Sequence, residues 1–335
     1  MKYYLNNSYN QMQAASGGQV SLLYPEKLYL DITHDCNIYC QMCRDKVEIT
    51  GKTMPYDLFR RIVDETSPYI KSYSLFNSGE PLIVDDFCER VDYVHSIKRD
   101  DCRIEISTNG MLLTDDIIGF LRAREVSVIV SFDGADKEIF EKIRRGASFE
   151  RVCGNLQKLS AAYSDIALHK SPQIYVTLQK DNQAQLLKIA ELAYSLGVRS
   201  VGFGLVNSPS AYAPDNLGLL KSQIESTSRY LDACKMLNGL YPTRVGDYLW
   251  WGSSYTHMDN FILDNRCTAP FVSAAVRYNG DICLCCNIGE RVDSVIDKSF
   301  LEVWQSSRFD ILRESVNSSS TMPERCKHCW WSNRA

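Results

Sequence analysis

The chain has 335 residues, 45% of them hydrophobic, enough for one large domain with an appendage and a real core. Its formal net charge is -4, with Lys and Arg interspersed among Asp and Glu, so binding to nucleic acid is not expected. The N-terminal "MKYYLNNSYNQMQAASGGQV" lacks an apolar signal core, and no run approaches the roughly 18 apolar residues that cross a bilayer, so the sequence reads as a soluble, cytoplasmic protein with no membrane partner.

Residues 1–26 read as an N-terminal extension. "KLYLDIT" (27–33) then reads as a buried strand, "YDLFRRIVDETSPYI" (56–70) as an amphipathic helix and "SYSLFN" (72–77) as a second strand. The alternation continues. Helix "DDFCERVDYVHSIK" leads to strand "RIEIST", helix "TDDIIGFLRAR" to strand "SVIVSFD", and a helical stretch between Lys137 and Ala162 to strand "QIYVTLQ". Asn182 is placed to cap the next helix, Leu186, Ile189, Ala193 and Leu196 form one face of it, and Gly197 stops it. "SVGFGLV" (200–206) is the sixth strand. Repeated strand-helix units argue an α/β fold with a parallel sheet, and six units are too few for a closed eight-stranded barrel.

The rhythm breaks over 211–266, a connecting segment whose aromatic part offers Trp250, Trp251, Tyr255 and His257 to a substrate, with Arg244 nearby. "AAVRYNGDICLCC" has the Asn-Gly signature of a hairpin, and "SFLEVWQSSRFDILRESV" reads as a helix. The boundaries are therefore a core over 27–210, the connecting segment 211–266 and a small domain over 267–335.

Thirteen cysteines need an explanation, because a reducing compartment disfavours a disulfide framework and the number is odd. Cys88, Cys102, Cys153 and Cys234 stand singly and read as small core hydrophobes. The other nine fall at 36–43 and 267–329. Cys36, Cys40 and Cys43 follow the first strand, at the strand end where α/β proteins place function. Three thiolates at this spacing can hold three corners of an iron–sulfur cubane and leave one iron open. Zinc would want a fourth ligand, for which His34 is the nearest residue.

"CNIYCQMC" resembles the Cx3Cx2C signature of the radical S-adenosylmethionine (SAM) enzymes. "SGEP" (78–81), "STNGMLL" (107–113) and "SFDGADKEIFEKIRRGASFERV" (131–152) resemble further segments of that family, in the same order and on the same strand ends. The resemblance implies a partial (β/α)6 TIM-like barrel over the core. It implies a [4Fe-4S] cluster on Cys36, Cys40 and Cys43 that chelates SAM, and reductive cleavage of SAM to a 5'-deoxyadenosyl radical. By the same match, Ser78, Gly79 and Glu80 bind the SAM amino group, Ser131 and Asp133 meet the ribose or nearby polar atoms, and Arg145 pairs with the SAM carboxylate. The residue before the third cysteine is usually aromatic and here is Met42, whose thioether can pack on a purine. Ser78 replaces a usual glycine, which a negative φ tolerates.

The second group resembles the SPASM domain in its single-cluster twitch form, a β-hairpin plus helix. That implies one auxiliary [4Fe-4S] cluster on Cys267, Cys285, Cys326 and Cys329, with a four-cysteine zinc site as the rival. Cys283 and Cys286 are left over, as strand residues or as a hydrogen-atom source. The reading expects oxidation or epimerisation of a small sugar or aminocyclitol-like substrate, because only 26 residues precede the first strand and leave no room for a leader-binding module. The second reading is a maturase of a ribosomally made peptide with a separate leader-binding partner, and a non-enzymatic iron–sulfur scaffold is third. A low-potential donor such as flavodoxin or ferredoxin is implied as electron source.

Overall fold

The computed structural model describes residues 23–43, 50–167, 170–206, 211–236, 267, 269–286, 288–318, 320–323 and 326. Arg244, Trp250, Trp251, Tyr255, His257 and Cys329 lie outside the described residues, as does most of the expected N-terminal extension. The chain divides into two units. One comprises Met1–Cys36, Ile49–Ile106 and Asp259–Ala335, the other Asn37–Glu48 and Ser107–Met258.

In the first unit β1 (Lys27–Leu30) pairs in parallel with β2 (Ser72–Ser74), and β2 with the start of β3 (Arg103–Thr108), so that Leu28 lies opposite Tyr73 and Tyr73 opposite Ile104. Leu28, Tyr73 and Ile104 are buried. The crossover helix α1 (Tyr56–Thr66) covers the sheet with Leu58, Phe59, Ile62 and Val63, the stripe that its sequence spacing dictates. Helix α2 (Phe87–Ile97) adds Phe87, Val91 and Val94.

The second unit holds α3 (Asp115–Ala123), β4 (Ser127–Ser131), β5 (Gln173–Leu178) and β6 (Ser200–Leu205), the strands again parallel, with Val130 opposite Ile174 and Ile174 opposite Val201. The helical stretch expected from Lys137 to Ala162 is two helices, α4 (Lys137–Ile143) and α5 (Phe149–Ala162). Gly146 between them takes a φ of +90°, which ends the first helix, and the Ser148 hydroxyl accepts the Arg151 N–H to start the second. Asn182 does not cap α6 (Leu186–Ser195). Its side-chain oxygen accepts the Gln179 N–H at 2.9 Å instead, while its amide donates to the carbonyls of Asp133 and Thr177, tying the ends of β4 and β5 together. Leu186, Ile189 and Ala193 form the buried face as expected, and Gly197, at φ +79°, follows the helix end. Helix α7 (Leu217–Ala233) closes the described part of this unit.

The C-terminal segment returns to the first unit. After the short helix α8 (Ala269–Val272), β7 (Ser273–Val276) pairs in parallel with β1, placing Ala274 beside Leu28. The Asn279–Gly280 turn, with Gly280 at φ +82°, folds the chain into β8 (Asp281–Cys285), antiparallel to β7. A third strand, β9 (Ile288–Ser294), not expected from the sequence, pairs with β8. The register shifts at Ile282/Cys283 and at Cys283/Cys285, so the irregularity coincides with the cysteines. Helices α9 (Phe300–Trp304) and α10 (Ser307–Ser315) replace the single helix read from the sequence, because Ser306 accepts the Phe309 N–H and starts a second one. Glu65 of α1 caps α9, accepting the N–H groups of Phe300 and Leu301 at 2.8 Å each. No helix among the described residues is long and apolar enough to cross a membrane.

Candidate active site

The chain leaving β1 is stitched to "SGEP" by backbone groups. Gly79 N–H donates to the Thr33 carbonyl at 3.2 Å and Glu80 N–H to the Asp35 carbonyl at 2.8 Å. The Ser78 N–H donates to Asp31 Oδ1 at 2.9 Å. The approach is so close that a Cβ on Gly79 would overlap the carbonyl oxygens of Thr33 and Asp35, which is the physical reason for glycine here. Ser78 is not among the positive-φ residues, so replacing a glycine there carries no strain. Glu80 is buried, and its carboxylate accepts the Leu82 N–H at 3.2 Å, capping the tight turn Pro81–Ile83. Asp35, just before Cys36, accepts Thr50 N–H, Thr50 O–H and Lys52 N–H, all at 3.0 Å. Burial acts against its charge, yet these donors hold the Asp35 carboxyl below the usual range.

Cys40 and Cys43 belong to the second unit. Their loop is held by the carbonyls that the break after α4 leaves unpaired: Tyr39 N–H donates to the Arg145 carbonyl and Gln41 N–H to that of Ile143, both at 2.9 Å. The Gln41 amide donates to Gln179 Oε1 at 2.7 Å and to Asp181 Oδ2 at 2.8 Å, and Lys142 pairs with Asp181 at 2.7 Å. Gln179 Nε2 stands 3.9 Å from the Met42 sulfur, so the residue that replaces the usual aromatic has a polar neighbour. Cys40 is buried and Cys43 exposed.

The structure places the three further residues expected to contact SAM as follows. Asp133, read as a ribose contact, is fully buried. Its Oδ1 accepts Thr177 N–H at 2.7 Å and its Oδ2 pairs with Arg144 at 2.7 Å, so no carboxylate oxygen is left exposed for a ligand. Arg145 exposes its side chain, and it is its carbonyl that enters the cysteine loop. Ser131 ends β4 half-buried, opposite Tyr175. The motif reading passed over Arg144, which is buried with Nη1 3.6 Å from Cys40 Sγ. Burial opposes its charge, while the Asp133 carboxylate and the Cys40 sulfur hold its pKa above the usual arginine value. The helical stripe Phe140–Ile143–Arg144 was the available signal, since Arg144 stands one turn after buried Phe140.

In the C-terminal group Cys285 ends β8 and Cys326 follows the α10 helix, both buried, and Cys267 is half-buried. Asn317 fixes Cys267 from both sides, accepting its N–H at 2.7 Å and donating to its carbonyl at 3.0 Å. Burial pushes the Cys283 thiol up, with Arg277 opposing. Of the four single cysteines, Cys102 is buried and its thiol is pushed up to about 12, and burial pushes that of half-buried Cys153 up to about 11.

Among the described residues no three His, Cys, Asp or Glu side chains converge as a metal cage, and none of the cysteines is in a disulfide. The donor chemistry nonetheless fits an iron–sulfur cluster. Cys40 presents a sulfur to a buried guanidinium whose Nε–H has no hydrogen-bond partner among the described residues, an arrangement suited to an anionic group.

The model of the Radical SAM superfamily matches residues 30–205, which is more than half of the chain. The chain belongs to the radical SAM superfamily. The SPASM iron–sulfur cluster-binding domain matches residues 267–330, so this radical SAM protein carries the auxiliary-cluster domain at its C-terminal end. A tungsten-containing aldehyde ferredoxin oxidoreductase cofactor-modifying protein of Pyrococcus furiosus is 30% identical over 226 residues, 64% of this chain and 61% of its own length. The mycofactocin maturase MftC of Mycolicibacterium smegmatis is 28% identical over 315 residues, 88% of this chain and 74% of its own. The chain thus spans about three fifths of the first of these relatives. Among solved structures, Streptococcus suis SuiB bound to its precursor peptide SuiA superposes with a TM-score of 0.68 at 15% identity, covering 97% of this chain and 75% of that one. The radical SAM fold expected from the sequence, an α/β partial barrel followed by antiparallel strands, is therefore the fold of this chain.

Proposed function

We propose that this radical SAM enzyme modifies a ribosomally made peptide, and that the small polar substrate expected from the sequence ranks second. The observation that carries the reading is the 28% identity to a protein named a maturase, which extends over 88% of this chain and so reaches into the C-terminal cluster domain. The SuiB likeness supports the fold only, at 15% identity.

In this reading Cys36, Cys40 and Cys43 hold the cluster that binds SAM, and Cys267, Cys285, Cys326 and Cys329 hold one auxiliary cluster. When bound, cluster and SAM supply hydrogen-atom abstraction from carbon. The chain's own residues set the geometry. Asp31, Thr33 and Asp35 hold the backbone of Ser78–Glu80 against the strand end, where it is offered to the SAM amino group. Arg145, exposed and with no side-chain ion pair among the described residues, is available to the SAM carboxylate. Gln41, Gln179 and Asp181 fix the loop that carries Met42 beside the adenine. A flavodoxin or ferredoxin supplies the electron.

The test is anaerobic incubation of the reconstituted protein with SAM and dithionite, offered either a panel of synthetic precursor peptides or a panel of sugars and aminocyclitols. The expected outcome is 5'-deoxyadenosine formation stimulated by a peptide, matched by a change in that peptide's mass. Stimulation by sugars alone would reverse the ranking.

A further inference from the structure

Arg144 is placed as no motif required. Its Nη1 lies 3.6 Å from Cys40 Sγ and its Nη2 2.7 Å from Asp133 Oδ2, and both side chains are buried. The distance to sulfur is fixed from both sides. Asp133 is anchored by Thr177 N–H at 2.7 Å, and its own carbonyl accepts the Asn182 amide at 3.0 Å. The cysteine loop is anchored by Tyr39 and Gln41 N–H groups on the carbonyls of Arg145 and Ile143, which flank Arg144. A simple structural ion pair would need only Asp133. Here the same guanidinium is shared with a thiol that belongs to the cluster motif.

A guanidinium stays protonated in a protein, so a full positive charge sits permanently beside this sulfur. Hydrogen bonds to the sulfurs, net charge and burial are the levers that set the potential of an iron–sulfur cluster. Adding one electron makes the cluster and its thiolates more negative, and in a buried, low-dielectric setting the guanidinium stabilises that state more than the oxidised one. Asp133 works in the opposite sense.

We propose that Arg144 is a positioning residue that raises the reduction potential of the cluster bound by Cys40, through a charged N–H···S hydrogen bond, and that Asp133 is the counter-charge limiting the effect. The proposal rests on the reading of Cys36, Cys40 and Cys43 as cluster ligands.

The experiment is an EPR-monitored redox titration of the full-length reconstituted protein, without substrate, with iron and sulfide measured on every sample. The relevant cluster is the one whose EPR signal changes when SAM is added. Arg144→Gln is expected to shift its midpoint to a more negative potential by at least tenfold in the reduction equilibrium, 59 mV for one electron. Arg144→Lys, which keeps the charge, is expected to fall between Gln and wild type, and Asp133→Asn to shift it to a more positive potential. An unchanged midpoint in Arg144→Gln at wild-type iron content overturns the proposal. If that variant fails to retain the cluster, the Asp133→Asn shift decides, and a zero or negative shift overturns it. A wild-type protein with no SAM-responsive cluster signal refutes the underlying ligand reading instead, and is distinguished by that observation alone.

Discussion

Asn317 grips the backbone of Cys267 at both ends, taking its N–H at 2.7 Å and giving an N–H to its carbonyl at 3.0 Å, across fifty positions of chain. Groups that orient a metal ligand without touching the metal typically change affinity about 10–100-fold when removed. With Cys267 as the auxiliary-cluster ligand proposed above, Asn317→Leu is expected to release iron from that cluster faster under a chelator, while the SAM-responsive cluster keeps its EPR signal. Equal release from variant and wild type would show that Cys267 needs no such support.

Gly79→Ala tests the strand-end geometry. The added methyl collides with the Thr33 and Asp35 carbonyl oxygens, so the backbone of the motif must shift, at a cost of about 1–3 kcal/mol as for other overpacked sites. Weaker SAM binding by calorimetry, with normal iron content, is the expected result.

The pH dependence of the Cys40 loop follows from Asp181. Burial acts against its charge, but Lys142 and Gln41 outweigh it and lower its pKa in the folded state. A lowered carboxylate contributes stability that is complete above its unfolded value, about 3.9, and is lost as pH falls through the lower folded value. Asp181→Asn should flatten this acid limb of the thermal-unfolding profile and leave the profile near neutrality unchanged in shape.

Arg313 is the internal brace of the C-terminal segment. Fully buried, it donates to the Pro270 carbonyl at 3.0 Å and the Trp304 carbonyl at 2.9 Å, pairs with Asp310 at 2.7 Å, and stacks over Phe309 and Trp304. Arg313→Ala strips partners from a largely buried carboxylate and two carbonyls, for an expected loss of about 3 kcal/mol in urea unfolding. A loss under 1 kcal/mol, on the order of that for an exposed pair, would contradict the brace.

The strand-helix alternation was legible because each strand and crossover helix carries its own local period, and the motif residues were legible because they fall in short segments at strand ends. The Asn279–Gly280 hairpin was readable for the same local reason. What could not be read depends on distant partners. The pairing of β7 with β1 joins residues far apart in the chain. Asn182 is a plausible helix cap by position, but the side-chain oxygen that would cap accepts the Gln179 N–H instead, and its amide donates to the carbonyls of Asp133 and Thr177. The Lys137–Ala162 stretch looks continuous until the cysteine loop claims the carbonyls of Ile143 and Arg145 and Gly146 turns the chain. That break also explains why Arg144 was missed. One position along a helix end separates a buried guanidinium from an exposed one, and a motif match does not resolve that phase.

The central claim is that Cys36, Cys40 and Cys43 hold the cluster that cleaves SAM, separately from the C-terminal group. The most direct measurement is 5'-deoxyadenosine formation, with iron per chain, in the anaerobically reconstituted wild type and in the variant with all three cysteines changed to alanine. The account predicts that the variant forms no 5'-deoxyadenosine and keeps the iron of the C-terminal cysteines. Continued SAM cleavage by the triple variant would contradict it.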